Sequence, residues 1–220
     1  MNRKILALAP ILVASSIIKQ NKKLKVTKTT LDFNNLPDSF DNFKIAQVSD
    51  IHCDKVGLSD LTFLSKIRKF SPDIIVITGD ILDSYKNDMD VAYNILSQLS
   101  IIAPCYFISG NHELRLPKEY AELKIMLSKL KITHLHNESI LLNRNQDFIN
   151  LVGVEDYNFF KNEDNLNHRA NFKQTLDNLY SSEYFNILLS HRPEKFPIYV
   201  ETKYDLIFSG HAHGGQWRIP

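Results

Sequence analysis

Residues 73–80 read DIIVITGD, and this stretch decides the fold. Ile74 to Thr78 form a continuous β-branched run, which favours a pleated strand. No polar residue alternates with the apolar ones, so both faces of the strand must be covered, as in a parallel sheet between two layers. The run stops at Gly79 and Asp80, which place a flexible exit and a carboxylate at the strand's carboxyl end.

The same theme repeats outward in both directions. FKIAQVSD (43–50) reads as a strand running into a loop, and LSDLTFLSKIRKF (58–70) has helical spacing with Ser59 placed to cap it. DMDVAYNILSQLS (88–100) is helical, PCYFISGNHE (104–113) is again strand then loop, and KEYAELKIMLSKLK (118–131) is a third helix. SILLNR (139–144) and FINLVGVED (148–156) are short strands separated by a polar turn. NFKQTLDNLY (171–180) is helical, and FNILLSHRP (185–193) and YDLIFSGHAH (204–213) return to strand then loop. Strands alternating with helices indicate crossover units and a largely parallel α/β sheet. The asparagine-rich NFFKNEDNLNHRANF (158–172) is the expected long loop.

Composition narrows the partners. The 220 residues carry 26 Lys plus Arg against 25 Asp plus Glu, and no basic stripe interleaved with aromatics follows the first thirty residues, so no nucleic acid is expected. Cys53 and Cys105 lack metal-type spacing and read as buried free thiols. The N-terminus stands apart. Arg3 and Lys4 precede ILALAPILVASSII (5–18), which is short for a membrane span and fits a signal-peptide core or a shallow anchor. Lys19, Lys22, Lys23, Lys25 and Lys28 follow; in a retained segment they would face the cytoplasm or an anionic lipid surface. A cleaved secretory peptide would imply the opposite side. Residues 1–30 are therefore expected to be an apolar segment with a basic linker, and 31–220 a single domain.

The polar residues fall at strand ends. Asp50 and His52 close the first strand, Asp80 the second, Asn111 and His112 follow the third, His191 closes a later one, and His211 and His213 the last. Carboxyl ends of parallel strands converge on one crevice in open α/β sheets. Two carboxylates, an amide and several imidazoles, with no thiolate, suit Mn, Fe or Zn. They are too many for one tetrahedral ion and about right for two ions sharing a carboxylate, the arrangement that hydrolyses phosphate esters. Of seven glycines, Gly79, Gly110, Gly210, Gly214 and Gly215 touch these motifs, where a positive φ or close backbone approach is needed. Each motif alone reads as a turn, a cap or a surface histidine; their ordered conjunction, each ending an apolar run, carries the functional reading. His134 and His136 in THLHN lack flanking glycines and precede a strand, so they read as solvent-side residues, as does His168.

The ordered set SDIH, GD, GNHE, SHRP and GHAHGGQ resembles the calcineurin-like metallophosphoesterases over residues 43 to 217. Together with the N-terminal apolar segment, it looks like their bacterial membrane-associated branch. The resemblance implies a four-layer α/β/β/α sandwich with a two-metal site between the sheets. One ion would be held by Asp50, His52, Asp80 and His213, the other by Asp80, Asn111, His191 and His211. Asn111 and His112 would contact the substrate phosphate, with His112 assisting the leaving group. Family members continue with further strands beyond the position of His213, which leaves open a truncated fragment with C-terminal strands missing. The implied function is hydrolysis of a phosphodiester or pyrophosphate at the membrane or envelope. Retention of His112 speaks against a two-metal hydrolase of another bond. A catalytically inactive metal-binding module at the membrane is the competing reading. Residues 153–169 read equally as a lid carrying Tyr157, Phe159 and Phe160 or as a solvated loop, and Arg115 and Arg192 adjoin the motifs where a second phosphate would sit.

Overall fold

The computed structural model describes residues 26–53, 62–86, 88–161 and 167–213. In chain order, β1 (Ile45–Val48) leads to α1 (Thr62–Phe70), β2 (Ile74–Thr78), α2 (Met89–Ile102) and β3 (Cys105–Ile108). Then come α3 (Asn111–Arg115), α4 (Pro117–Lys129), β4 (Thr133–His134), and a hairpin of β5 (Glu138–Arg144) with β6 (Asp147–Gly153). The chain continues through α5 (His168–Leu179), β7 (Phe185–Leu189), α6 (Phe196–Tyr199) and β8 (Leu206–Phe208). Local chemistry sets several boundaries: the Asp88 side chain accepts from the Val91 N–H to open α2, and Pro117 occupies the first turn of α4, where its missing N–H costs nothing.

The strands form two sheets. The first, in the order β1-β2-β3-β4, is wholly parallel. The second, β5-β6-β7-β8, is parallel except for the β5–β6 hairpin. Every residue of β2 is buried, as its unalternated sequence requires. Ile75 and Ile77 face α1, α2 and α4, packing with Leu64, Leu96, Leu99 and Leu123. Ile74 and Val76 face the other way, into a core shared with Ile149, Leu151, Phe185, Ile187 and Leu189 of the second sheet. On that sheet's far side, Val152 and Leu188 pack with Phe172, Leu176 and Tyr199 of α5 and α6. The layers are therefore helix, sheet, sheet, helix, the expected α/β/β/α sandwich. Phe40 is buried between the sheets, and Phe33 packs edge-on against Phe185 at 5.0 Å.

Some boundaries differ from the sequence reading. The helix expected at 171–180 begins at His168, which shortens the asparagine-rich loop. Tyr157 and Phe160 each lie 5.1 Å from the Phe172 ring. Tyr157 and Phe160 thus pack into the core under α5, whereas Phe159 is exposed, and residues 162–166 of the loop lie outside the described ones. Helix α3, one turn long, was not expected; neither was α6. Ser59, Gly214, Gly215 and the apolar segment of the N-terminus lie outside the described residues.

Candidate metal centre

The turns after β1, β2, β3, β7 and β8 meet at one end of the two sheets. The Gln47 amide of β1 donates to the Ser209 carbonyl beyond β8 at 2.8 Å, and His191 Nδ1, just past β7, lies 2.7 Å from the Thr78 carbonyl that ends β2. The candidate ligands themselves hold left-handed backbone: Asp50 (φ 54°), His52 (52°), Asp80 (54°), His211 (65°) and His213 (45°). Asp and His tolerate this region better than most residues, yet each such position costs on the order of 1–3 kcal/mol. The glycines serve mainly close approach instead. A Cβ on Gly210 would strike the Ser49 hydroxyl, and one on Gly79, itself at φ +90°, would lie 2.6 Å from the Gly110 nitrogen.

Two groups of donors result. Asp50, His52 and His213 place ligand atoms within 4.8 Å of one another, as do Asp80, His191 and His211. In the first group the Nε2 atoms of His52 and His213 face each other at 3.1 Å, and His213 Nε2 is 3.6 Å from Asp50. In the second, His191 Nε2 is 3.2 Å from Asp80 Oδ2 and 3.3 Å from Asn111 Oδ1. Asp80 lies between the groups, its Oδ2 also 3.9 Å from His52 Nε2. The donor set fits divalent cations. Imidazole nitrogens and carboxylate oxygens converge without enough protons to satisfy them, and the buried His52 Nδ1 has no hydrogen-bond partner. Burial would raise the Asp80 carboxyl, but His191 outweighs it and holds that carboxyl low. Burial would likewise lower His191, and the Asp80 bond and charge push it up instead. Asp80 and His191 thus favour each other's charged forms, and a cation at the point where these side chains meet would take the place of a proton.

His112 sits at the rim of both groups. Its N–H donates to Asp80 Oδ1 at 2.9 Å. Its Nδ1 accepts from the Ser84 N–H at 2.9 Å, so Nε2 carries the ring proton. Burial lowers its pKa, helped by the charge of His52 and opposed by that of Asp80. The structure also brings His112 together with His52 and Asp80 as a candidate ligand group.

Two residues that shape the centre were not singled out in the sequence. Glu113, wholly buried, accepts the N–H of Asp80 (2.9 Å), Gly110 (2.7 Å) and Leu82 (2.9 Å), tying the turns after β2 and β3 together. Burial and the charge of Asp80 push its carboxyl up to about 7 despite those bonds. Asp156, beyond β6, anchors Arg192 Nε at 2.7 Å, and Arg192 Nη1 lies 3.3 Å from His211 Nε2. Glu113 lies inside the GNHE motif and Asp156 just past a strand, so the strand-end logic reaches both. Glu155, next to Asp156, binds His134 and His136. His134 precedes β5 as expected but also ends β4, and it is partly buried; of this pair the solvent-side reading holds only for His136, whose side chain is 44% exposed. Arg115 is exposed at the end of α3.

The calcineurin-like phosphoesterase family profile matches residues 43–215. A bovine relative named transmembrane protein with metallophosphoesterase domain is 31% identical over 204 residues, 87% of this chain and 45% of its own length. The uncharacterized metallophosphoesterase YkoQ of Bacillus subtilis (strain 168) is 28% identical over 222 residues, 98% of this chain and 78% of its own. This chain thus spans less than half of the bovine relative. The fold is shared with a 5'-nucleotidase precursor from Thermus thermophilus, with a TM-score of 0.54 at 11% identity over 78% of this chain and 42% of that one. Among the described residues no helix is long and apolar enough to cross a membrane.

Proposed function

The chain belongs to the calcineurin-like phosphoesterase family, and on that premise we propose a metal-dependent phosphoester hydrolase with a two-ion centre. Its substrate class is a phosphodiester or pyrophosphate at the membrane or envelope. The observation that carries the two-ion reading is the place of Asp80, whose carboxylate falls in reach of His52 on one side and of His191 and His211 on the other. One cation of the Mn, Fe or Zn type takes Asp50, His52, Asp80 and His213; the second takes Asp80, Asn111, His191 and His211. Bound there, the pair lowers the pKa of a water and offsets the phosphate's negative charge.

The chain's own residues do the rest. Ser84 fixes the His112 tautomer so that Nε2 carries the proton, to donate to a phosphate oxygen or to the departing alkoxide. Glu113 holds the turns that carry Asp80 and Asn111, so the ligands need not reorganise during reaction. Tyr85, almost fully exposed and 6.3 Å ring to ring from His112, offers a flat face to an organic leaving group, as an ester substrate would present. The apolar segment at 5–18 and the naming of the bovine and zebrafish relatives as transmembrane proteins support a membrane location.

The test uses the full chain, stripped of metal and reloaded with Mn²⁺, acting on bis-p-nitrophenyl phosphate and on the monoester. Turnover dependent on Mn²⁺ is expected, with Asp80→Asn losing both metal and activity. His112→Ala should keep its metal while losing about 10²–10⁴-fold in turnover. Two ions bound with no turnover on either ester would overturn the hydrolase reading in favour of an inactive metal-binding module.

A further inference from the structure

Away from this centre, His134, His136 and Glu155 place ligand atoms within 4.8 Å of one another. Glu155 is wholly buried, in the turn beyond β6 of the second sheet; His134 and His136 come from β4 and its exit, at the edge of the first. Three groups converge on a single carboxylate oxygen. Tyr120 Oη is 2.7 Å from Glu155 Oε1, His134 Nε2 is 3.5 Å from it, and His136 Nδ1 is in direct contact with it. His134 Nε2 also lies 3.1 Å from Tyr120 Oη, so two imidazole nitrogens and a phenol gather around one buried carboxylate oxygen. The other oxygen is taken by the Ser109 hydroxyl.

We propose that His134 Nε2, His136 Nδ1 and Glu155 Oε1 are the three protein ligands of a separate divalent-cation site of the zinc type, which clamps the two sheets together. Two imidazoles and a carboxylate with a solvent-facing fourth position are a ligand set that Zn²⁺ accepts. His136 is the open side and Glu155 the closed one. The Tyr120 hydroxyl donates to the ligating carboxylate at 2.7 Å and the Ser109 hydroxyl to its other oxygen, which fix its orientation. Ring contacts orient the histidines: Phe107 lies 5.5 Å from His134 and Phe159 5.3 Å from His136. Glu155 also adjoins Asp156, whose Arg192 reaches His211, so the clamp fixes a neighbour of the first centre without sharing a residue with it.

The test counts metal. Full-length chain is stripped, dialysed against excess Zn²⁺, freed of loose ion and assayed by mass spectrometry, beside His136→Ala, whose exposed side chain can be removed without opening the core. Wild type should hold one ion per chain more than His136→Ala, a difference read whatever the first centre holds. Turnover by the Mn²⁺-loaded variant should be unchanged, so failure here and failure of the hydrolase reading are distinguishable. As a second arm, Asp80→Asn loaded with Co²⁺ should keep visible d–d absorption that vanishes in Asp80→Asn/His136→Ala. Equal zinc counts in wild type and a folded His136→Ala, or no Co²⁺ bands in folded Asp80→Asn, would overturn the site and leave a hydrogen-bonded network only.

Discussion

Replacing Gly79 by alanine tests whether the turns of the metal centre are held apart by the width of one hydrogen. Gly79 sits at φ +90°, and an added Cβ would lie 2.6 Å from the Gly110 nitrogen, 2.7 Å from its Cα and 2.8 Å from His191 Nδ1. The first two are backbone atoms, so no side-chain rotation relieves the clash. Left-handed backbone costs a non-glycine residue on the order of 1–3 kcal/mol, and forcing the turns apart adds roughly 1–3 kcal/mol. The expected loss is about 2–6 kcal/mol. At roughly 2–4 °C per kcal/mol for a chain of this size, the melting temperature of the metal-free protein should fall by about 4–24 °C. The displaced His191 would also loosen its 2.7 Å contact with the Thr78 carbonyl, and Mn²⁺ should bind about 10–100-fold more weakly. Gly153→Ala is the control: its Cβ meets the side chains of Leu135 and Ile108 in the core, not the turns that carry Asp80 and His191, and its φ is ordinary. That variant should melt lower and bind Mn²⁺ normally. A Gly79→Ala protein that melts within about 2 °C of wild type and keeps its Mn²⁺ affinity would refute the reasoning, since the roughly 2–6 kcal/mol cost rests wholly on that backbone and those contacts.

Three further outcomes follow from the same geometry. Glu113→Gln keeps the shape but turns one acceptor into a donor facing a backbone N–H of Asp80, Gly110 or Leu82; Mn²⁺ affinity by calorimetry should drop about 10–100-fold. Chelation should lower the melting temperature seen by scanning calorimetry, because each ion at a hundred times its Kd contributes about 2.7 kcal/mol. The third outcome concerns acid. The Glu155 carboxyl is lowered from 4.5 to about 2 in the folded chain, so its contribution is present above pH 4.5 and lost as pH falls towards 2. Across that window metal-free wild type should lose on the order of 3 kcal/mol that Glu155→Gln does not, read by urea titration at each pH.

Much was legible in the chain itself. The unbroken run in β2 declared a strand covered on both faces, and the alternation of such runs with helical spacing declared the parallel sheets, because burial on two sides leaves no room for polar alternation. The polar residues at strand ends were legible for a related reason: the carboxyl ends of parallel strands share one edge, so residues far apart in sequence are delivered to one place. What periodicity could not supply was anything made by contact between the two sheets. That the left-handed turns fall on Asp50, His52, Asp80, His211 and His213 themselves depends on how tightly the turns pack. Glu113 reads in sequence only as the end of a strand-then-loop motif, and only the approach of Asp80 and Gly110 makes its carboxylate the tie between them. His134 and His136 read as a surface pair for the same reason. The carboxylate that gives them meaning arrives from the other sheet, and which strand edges face each other is decided by packing, not by any local pattern.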